Sequence, residues 1–237
     1  MSERFRAAAE TGSTNADVLA LAAAGAPDGL WLRADRQTAG KGRMGRDWQS
    51  PVGNFYGSTL VRLTAGDPPP ATLALVAAVA LFDAFRFLAP DVDFRIKWPN
   101  DLMVDGAKIS GILLERADDA VVVGIGVNLA FHPEGLPRKV TSLAALGVAV
   151  PTPEDFQHIL AARFDAWLDS WRRAGLAAVR SAWVERAHAK GTALSVNAPD
   201  GSVTEGLFEG LAEDGALLLR LADGTIRAIH AGDIFLI

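Results

Sequence analysis

Apolar and polar positions along this chain follow two different periods, and the changes of period mark its elements. Residues 5–9 read as a first strand, with 30–34 and 55–63 as two more. After Ser13-Thr14-Asn15 the run ADVLALAAAG predicts a helix, which Gly25 and Pro27 bring to an end. Pro68-Pro69-Pro70 closes the next unit, and a long apolar helix is predicted over 71–88. Strands follow at 93–97, 107–115 and 120–129, the last a continuous β-branched run of the buried type. Residues 153–173 place Phe156, Leu160, Phe164, Trp167, Leu168 and Trp171 at helical spacing, so Trp167 and Trp171 read as core. A further helix is predicted over 176–187.

Near Gly191 the pattern shifts to short alternating runs, broken at Asp200-Gly201, Asp214-Gly215 and Asp223-Gly224. Asp-Gly between alternating runs is a hairpin signal. A small all-β barrel is expected over 191–237, and the chain divides into a larger domain at 1–188 and a smaller one at 189–237.

Between the second and third strands, residues 36–54 carry Gly and Arg without an apolar period, a loop about 19 residues long. Loops of that length in compact domains are usually functional. Gly40-Lys41-Gly42-Arg43-Met44-Gly45 spells G-x-G-x-x-G, but Pro51 and Gly53 forbid the helix that a dinucleotide site needs next. A P-loop fails too, since Arg46 and Asp47 stand where Lys and Ser/Thr belong. What remains is backbone amides with Arg36, Lys41, Arg43 and Arg46, which suits a polyanion or a solvated basic surface.

Composition narrows the chemistry. The 237 residues hold 23 Lys and Arg, 28 Asp and Glu, and a net charge of −5, which disfavours a general nucleic-acid binder. There is no cysteine, so disulfides, thiolate metal sites and a Cys nucleophile are excluded. His132, His158, His188 and His230 are scattered without metal-ligand spacing, and no G-x-S-x-G elbow occurs. The charged N-terminal sequence lacks the apolar core of a secretory signal. The most apolar stretch, 71–82, is about 12 residues long where a bilayer needs ~20, so no membrane span and a cytoplasmic address are expected.

Three further stretches carry candidate chemistry. Trp98-Pro99-Asn100-Asp101 after a strand sets an aromatic face, an amide and a carboxylate on one turn. Lys108 sits inside an apolar strand, where a lysine either reaches a partner or snorkels from an edge. Gly124-Ile125-Gly126 inside a buried strand implies close approach to the backbone, and Asn128 reads either an adenine edge or caps the strand.

Five motifs occur in order: Gly12-Ser13-Thr14-Asn15, then 37–46 (QTAGKGRMGR), then Lys97-Trp98-Pro99-Asn100-Asp101, then 108–113 (KISGIL), then 124–128 (GIGVN). Together they resemble the biotin protein ligases. The resemblance implies an α+β fold: a mixed sheet with helices, of the kind shared by class II aminoacyl-tRNA synthetases and biotin–lipoate ligases, followed by a small SH3-like β-barrel. It implies that biotin reacts with ATP, with Mg²⁺, to give biotinyl-5′-AMP. A lysine on the biotin carboxyl carrier domain of acetyl-CoA carboxylase, or of a related carboxylase, then takes the biotin. By that analogy Ser13, Thr14, Asn15 and Gln37 hold the ureido ring, and Lys41, Gly42 and Arg43 close over it. Lys108 contacts the carboxylate and phosphoryl oxygens. Arg43, Arg46, Trp48 and Asn128 lie at the adenylate, and Asp101 orients or deprotonates the incoming lysine. Lys41 and Met44 stand where the family loop commonly has arginine. No DNA-binding domain precedes the catalytic motifs, so no DNA partner is expected, while a homodimer is left open. A lipoate or octanoate ligase of the same fold, and a non-catalytic regulator, are the alternatives.

Overall fold

The structure is a computed structural model that describes residues 4–237. Its chain order is β1 (Phe5–Thr11), α1 (Thr14–Ala23), β2 (Trp31–Gln37), β3 (Phe55–Arg62), α2 (Leu73–Leu88), β4 (Phe94–Lys97), β5 (Asp101–Val104), β6 (Ala107–Ala117) and β7 (Ala120–Val127). After these come α3 (Pro153–Ala174) and α4 (Leu176–Arg186), then β8 (Ala193–Asn197), β9 (Val203–Leu211), β10 (Leu217–Arg220), β11 (Ile226–Ile229) and β12 (Asp233–Leu236).

Strands β1 to β7 form one sheet in the order β1-β2-β3-β7-β6-β5-β4, parallel only between β1 and β2. Period-2 alternation gives it two faces. In β7, Val121, Val123, Ile125 and Val127 join the large core with α2, α3 and α4. Ala120 and Val122 point the other way, into a small cluster with Val18, Leu30, Leu32 and Leu60 under α1. Gly124 and Gly126 continue that second face. Pro70–Leu88 is long and apolar enough to cross a membrane, yet α2 is the central core helix, with ten buried residues from Leu73 to Phe85. Thr152 caps α3 by accepting from the Asp155 N–H, with Pro153 beginning the helix. Trp171 is fully buried and donates to Thr72 Oγ1 at 2.8 Å, while the half-buried Trp167 packs against the core and donates to Asp83 at 2.8 Å.

Two features differ from the sequence reading. Asp101–Val104 is a strand, although four residues directly after a turn give too short a pattern to register. The register slips between Leu102 and Met103, leaving Ile109 as an extra residue on β6. That bulge puts Ile109 and Ile112 together in the core, and leaves Lys108 and Gly111 together on the opposite face. The C-terminal strands do form an antiparallel sheet, in the order β11-β10-β9-β8-β12, but β11 and β12 are not paired, so it stays open rather than closing into a barrel. This sheet docks on the larger domain: Trp98 Nε1 donates to the Gly215 carbonyl at 3.2 Å, and Trp183 meets Phe208 edge-on.

Candidate active site

On the α1 side of the sheet lies a cavity of about 620 Å³, within the size range of small-molecule sites. Its floor exists because β6 and β7 carry glycine there. A Cβ on Gly124 would lie 2.1 Å from the Asn15 amide oxygen, and one on Gly126 would lie 2.6 Å from the Trp48 indole. The close approach expected at these glycines is therefore made by Asn15 and Trp48.

One end of the cavity is polar and uncharged. Thr14 donates to Gln37 Oε1 from its backbone N–H at 2.9 Å, and Gln37 Nε2 donates to Ser50 Oγ at 3.1 Å. Ser50 in turn donates to the Trp48 carbonyl at 2.9 Å, tying this end to the glycine-rich loop. Asn15 is almost fully spent inside the protein: Nδ2 donates to Glu115 at 2.8 Å and Oδ1 accepts from Ser58 at 2.6 Å. Ser13 lines the same end.

The other end is cationic. Lys41, Arg43, Arg46, Lys97, Lys108, Arg138 and Lys139 line it, against the carboxylates of Asp47, Asp101 and Asp233. A surplus of positive charge in a chain of net charge −5 focuses attraction on an anionic ligand. Lys108 is not a snorkelling edge lysine. It is 7% exposed, lies 2.5 Å from Asp101 Oδ1, and sits 5.3 Å from the centre of a Trp48 ring. Burial lowers its pKa, and the Asp101 carboxylate opposes that, favouring the charged form. Lys97, also lowered by burial, is supported in the same way by Asp101 and Asp233.

The loop predicted from residue 36 starts only after β2 ends at Gln37, so it spans 38–54, and it turns through a short 3₁₀ segment at Arg43–Gly45, with Met44 left-handed at φ 57°. Gly42 donates to the Arg46 carbonyl at 2.7 Å, and Lys41 bridges to Asp47 through the backbone. Among the described residues, Arg43 reaches only the Asn100 amide oxygen at 3.4 Å and the Gly232 carbonyl at 3.5 Å. Arg46 pairs with Asp233 of the C-terminal sheet. Burial would raise the Asp233 carboxyl, but its hydrogen bond to Arg46 together with the charges of Arg46, Arg43 and Lys97 outweighs that and holds it below the usual carboxylate range.

Among the sequence candidates, Ser13, Thr14, Asn15, Gln37, Lys41, Gly42, Arg43, Arg46, Trp48, Asp101 and Lys108 all line this cavity. Asn128 does not. It is 3% exposed, and its Nδ2 donates to the Thr141 carbonyl at 3.0 Å, a bond that makes it a strand-end cap in this structure. Arg36 pairs with Glu10 outside the cavity. The sequence reading missed Arg138, Lys139, Asp233, Ser50, Ser58 and Glu115. None lies in a recognisable motif, and the fold brings them together from separate segments.

Residues 11–130 match the biotin/lipoate A/B protein ligase family, and residues 195–237 match the biotin protein ligase C-terminal domain. The chain belongs to the biotin/lipoate protein ligase family. It is 39% identical to a biotin–[acetyl-CoA-carboxylase] ligase of Paracoccus denitrificans, over 96% of this chain and 98% of that protein. It is 37% identical to the like-named ligase of Mycobacterium tuberculosis, over 95% of this chain and 86% of that one. Its fold superposes on the biotin protein ligase of Aquifex aeolicus in complex with biotin and ATP, with a TM-score of 0.87, 26% identity and 99% of each chain covered.

Proposed function

We propose that this chain is an ATP-dependent ligase that attaches biotin to one lysine of a carrier domain, through biotinyl-5′-AMP. The carrying observation is a single cavity with an uncharged hydrogen-bonding end at Thr14 and Gln37 and a cationic end around Lys108. The first end suits a neutral ring with N–H and carbonyl groups, and the second suits a carboxylate meeting a triphosphate. A biotin carboxylate oxygen attacks the α-phosphorus, and the bond from that phosphorus to the bridging oxygen breaks, its electrons leaving with pyrophosphate. Two anions must approach each other, so cations that neutralise the phosphoryl oxygens lower the barrier. We assign that work to Lys108, paired with Asp101, and to Arg43, whose contacts to Asn100 and Gly232 are long at 3.4 and 3.5 Å. The carrier lysine amine then attacks the mixed anhydride at its carbonyl carbon, AMP leaves, and the amine gives up its proton. Asp101 lines the same cavity and is the nearest carboxylate to Lys108.

Among the described residues no group of three or more acidic or histidine side chains could hold a metal ion. Magnesium would instead be held by the ATP phosphates, its customary ligands, and would screen their charge there. The carrier is the biotin carboxyl carrier domain of acetyl-CoA carboxylase or a related carboxylase, which the names of the relatives support. We place the reaction in the cytoplasm, and the domain division at 188/189, between α4 and β8, goes with this reading. The match of residues 195–237 to a biotin ligase C-terminal domain favours biotin over lipoate or octanoate. Pyrophosphate release with ATP and biotin, lipoate or octanoate tests it: release with biotin is expected, while release with only another acid, or with none, would overturn it.

A further inference from the structure

Four oxygens stand in a row beneath the uncharged end of the cavity: Oδ1 of Asn15, Oγ of Ser58, Oγ1 of Thr14 and Oε1 of Gln37. Their successive separations are 2.6, 2.7 and 3.1 Å. The outer two belong to amides whose orientation is fixed. Gln37 Oε1 faces the Thr14 backbone N–H at 2.9 Å, which can only donate. Asn15 Nδ2 faces the Glu115 carboxylate at 2.8 Å and the Leu113 carbonyl at 3.4 Å, which act as acceptors. Both ends of the row therefore accept and cannot donate. Two hydroxyls bring two protons to three oxygen–oxygen contacts, so one contact has none.

The two shorter contacts are those of Ser58, and the longest joins Thr14 to Gln37. Thr14 Oγ1 is within donating distance of both Ser58 Oγ and Gln37 Oε1; with the protons on the two shorter contacts, Ser58 donates to Asn15, Thr14 donates to Ser58, and Thr14 Oγ1 and Gln37 Oε1 face each other as acceptors. Ser58 is fully buried, while Thr14 and Gln37 line the cavity. Facing acceptors repel and leave lone pairs unsatisfied, at a cost that a donor inserted between them would remove.

We propose that Ser58 is a specificity-determining positioning residue: by taking the Thr14 proton it turns the Thr14–Gln37 edge into an acceptor that selects acids bearing an N–H. This rests on the biotin reading, since a ureido ring carries such groups and an alkyl chain or a dithiolane does not. Ser58 touches no substrate and acts through Thr14.

The test is a double-mutant cycle on pyrophosphate release. Ser58→Ala frees the Thr14 proton to turn toward Gln37. The KM for biotin should rise roughly 10- to 100-fold, the scale of one hydrogen bond lost or repelled, with the KM for ATP and kcat unchanged. Thr14→Val removes the hydroxyl itself, so adding Ser58→Ala to it should raise the biotin KM little further. Should the alanine variant fail to fold, Ser58→Cys keeps the volume with a weaker donor and acceptor, and carries the same test. Unchanged biotin KM, parallel rises for biotin and ATP, or additive effects in the cycle would each overturn the proposal. A wild-type enzyme inactive on biotin would instead sink the functional reading, and that control is measured first.

Discussion

Strand β7 shows two different surfaces. Toward the helices, Val121, Val123, Ile125 and Val127 are almost wholly buried in the large core. Toward α1, Ala120 and Val122 give way to Gly124 and Gly126, onto which Asn15 and Trp48 press. The first surface is specified by volume, the second by room and by polar partners. A fold needs the first to be filled to native density. A site needs the second to be held open, with its polar groups locked by neighbours.

The contrast breaks most visibly on the helix side. Phe156 is fully buried, with the Phe55 and Phe85 rings at 5.1 and 5.7 Å. Phe156→Ala should cost about 3–5 kcal/mol of stability in denaturant unfolding, yet leave the biotin KM of the folded enzyme unchanged. A large change in KM would mean that the two surfaces are not separate.

On the site side the expected effect falls on rate. Lys108→Gln should slow pyrophosphate release by roughly 10²–10³-fold, the scale of one electrostatic donor, with an unchanged circular dichroism spectrum. Glutamine is chosen because Lys108→Ala would strand Asp101, whose side chain is 14% exposed; breaking a buried pair in that way costs about 3–5 kcal/mol. Near-normal release would remove Lys108 from the chemistry.

Arg43→Gly addresses the loop. Arg46 is tied to Asp233, whereas among the described residues Arg43 makes only long contacts and has donors to offer a ligand. Losing a charge-assisted hydrogen bond costs ~1.5–3 kcal/mol, so adenylate retention should fall roughly 10²-fold. The variant should then biotinylate a bystander such as albumin. Normal adenylate formation with labelling confined to the carrier would show that Arg43 does not hold the adenylate.

The smallest effect is a shift in pH dependence. Burial lowers the Lys108 pKa and Asp101 raises it. If the charged lysine is required, activity is lost as pH rises through that pKa. Asp101→Asn removes the raising charge, so the alkaline limb of the pH–rate profile should move to lower pH. A move to higher pH would contradict the pairing.

Much of this was legible in the sequence, for a physical reason. Long periodic segments such as α2 and α3 and the β-branched run of β7 declare themselves through burial, and glycines in a buried strand declare a close approach. The motifs located most of the cavity. The sequence could not show that β5 exists, because four residues carry too little pattern. Nor could it show Asp233 beside Arg46, since that pairing depends on how the C-terminal sheet docks. Ser58 in an apolar strand gives no signal until Thr14 and Asn15 are set against it. Asn128 shows the limit from the other side, for an amide at a strand end suits a cap as well as a ligand, and its bond to Thr141 shows only the cap.

The central claim is that one cavity makes an acyl-adenylate and then spends it on a lysine. Enzyme is incubated with biotin and ATP, freed of both by rapid gel filtration, and mixed with a biotin carboxyl carrier domain. The expected result is biotinyl-AMP retained on the enzyme, then one lysine of the carrier biotinylated and AMP released with no further ATP. Absence of retained adenylate, or carrier labelling only when fresh ATP is added, would contradict the account.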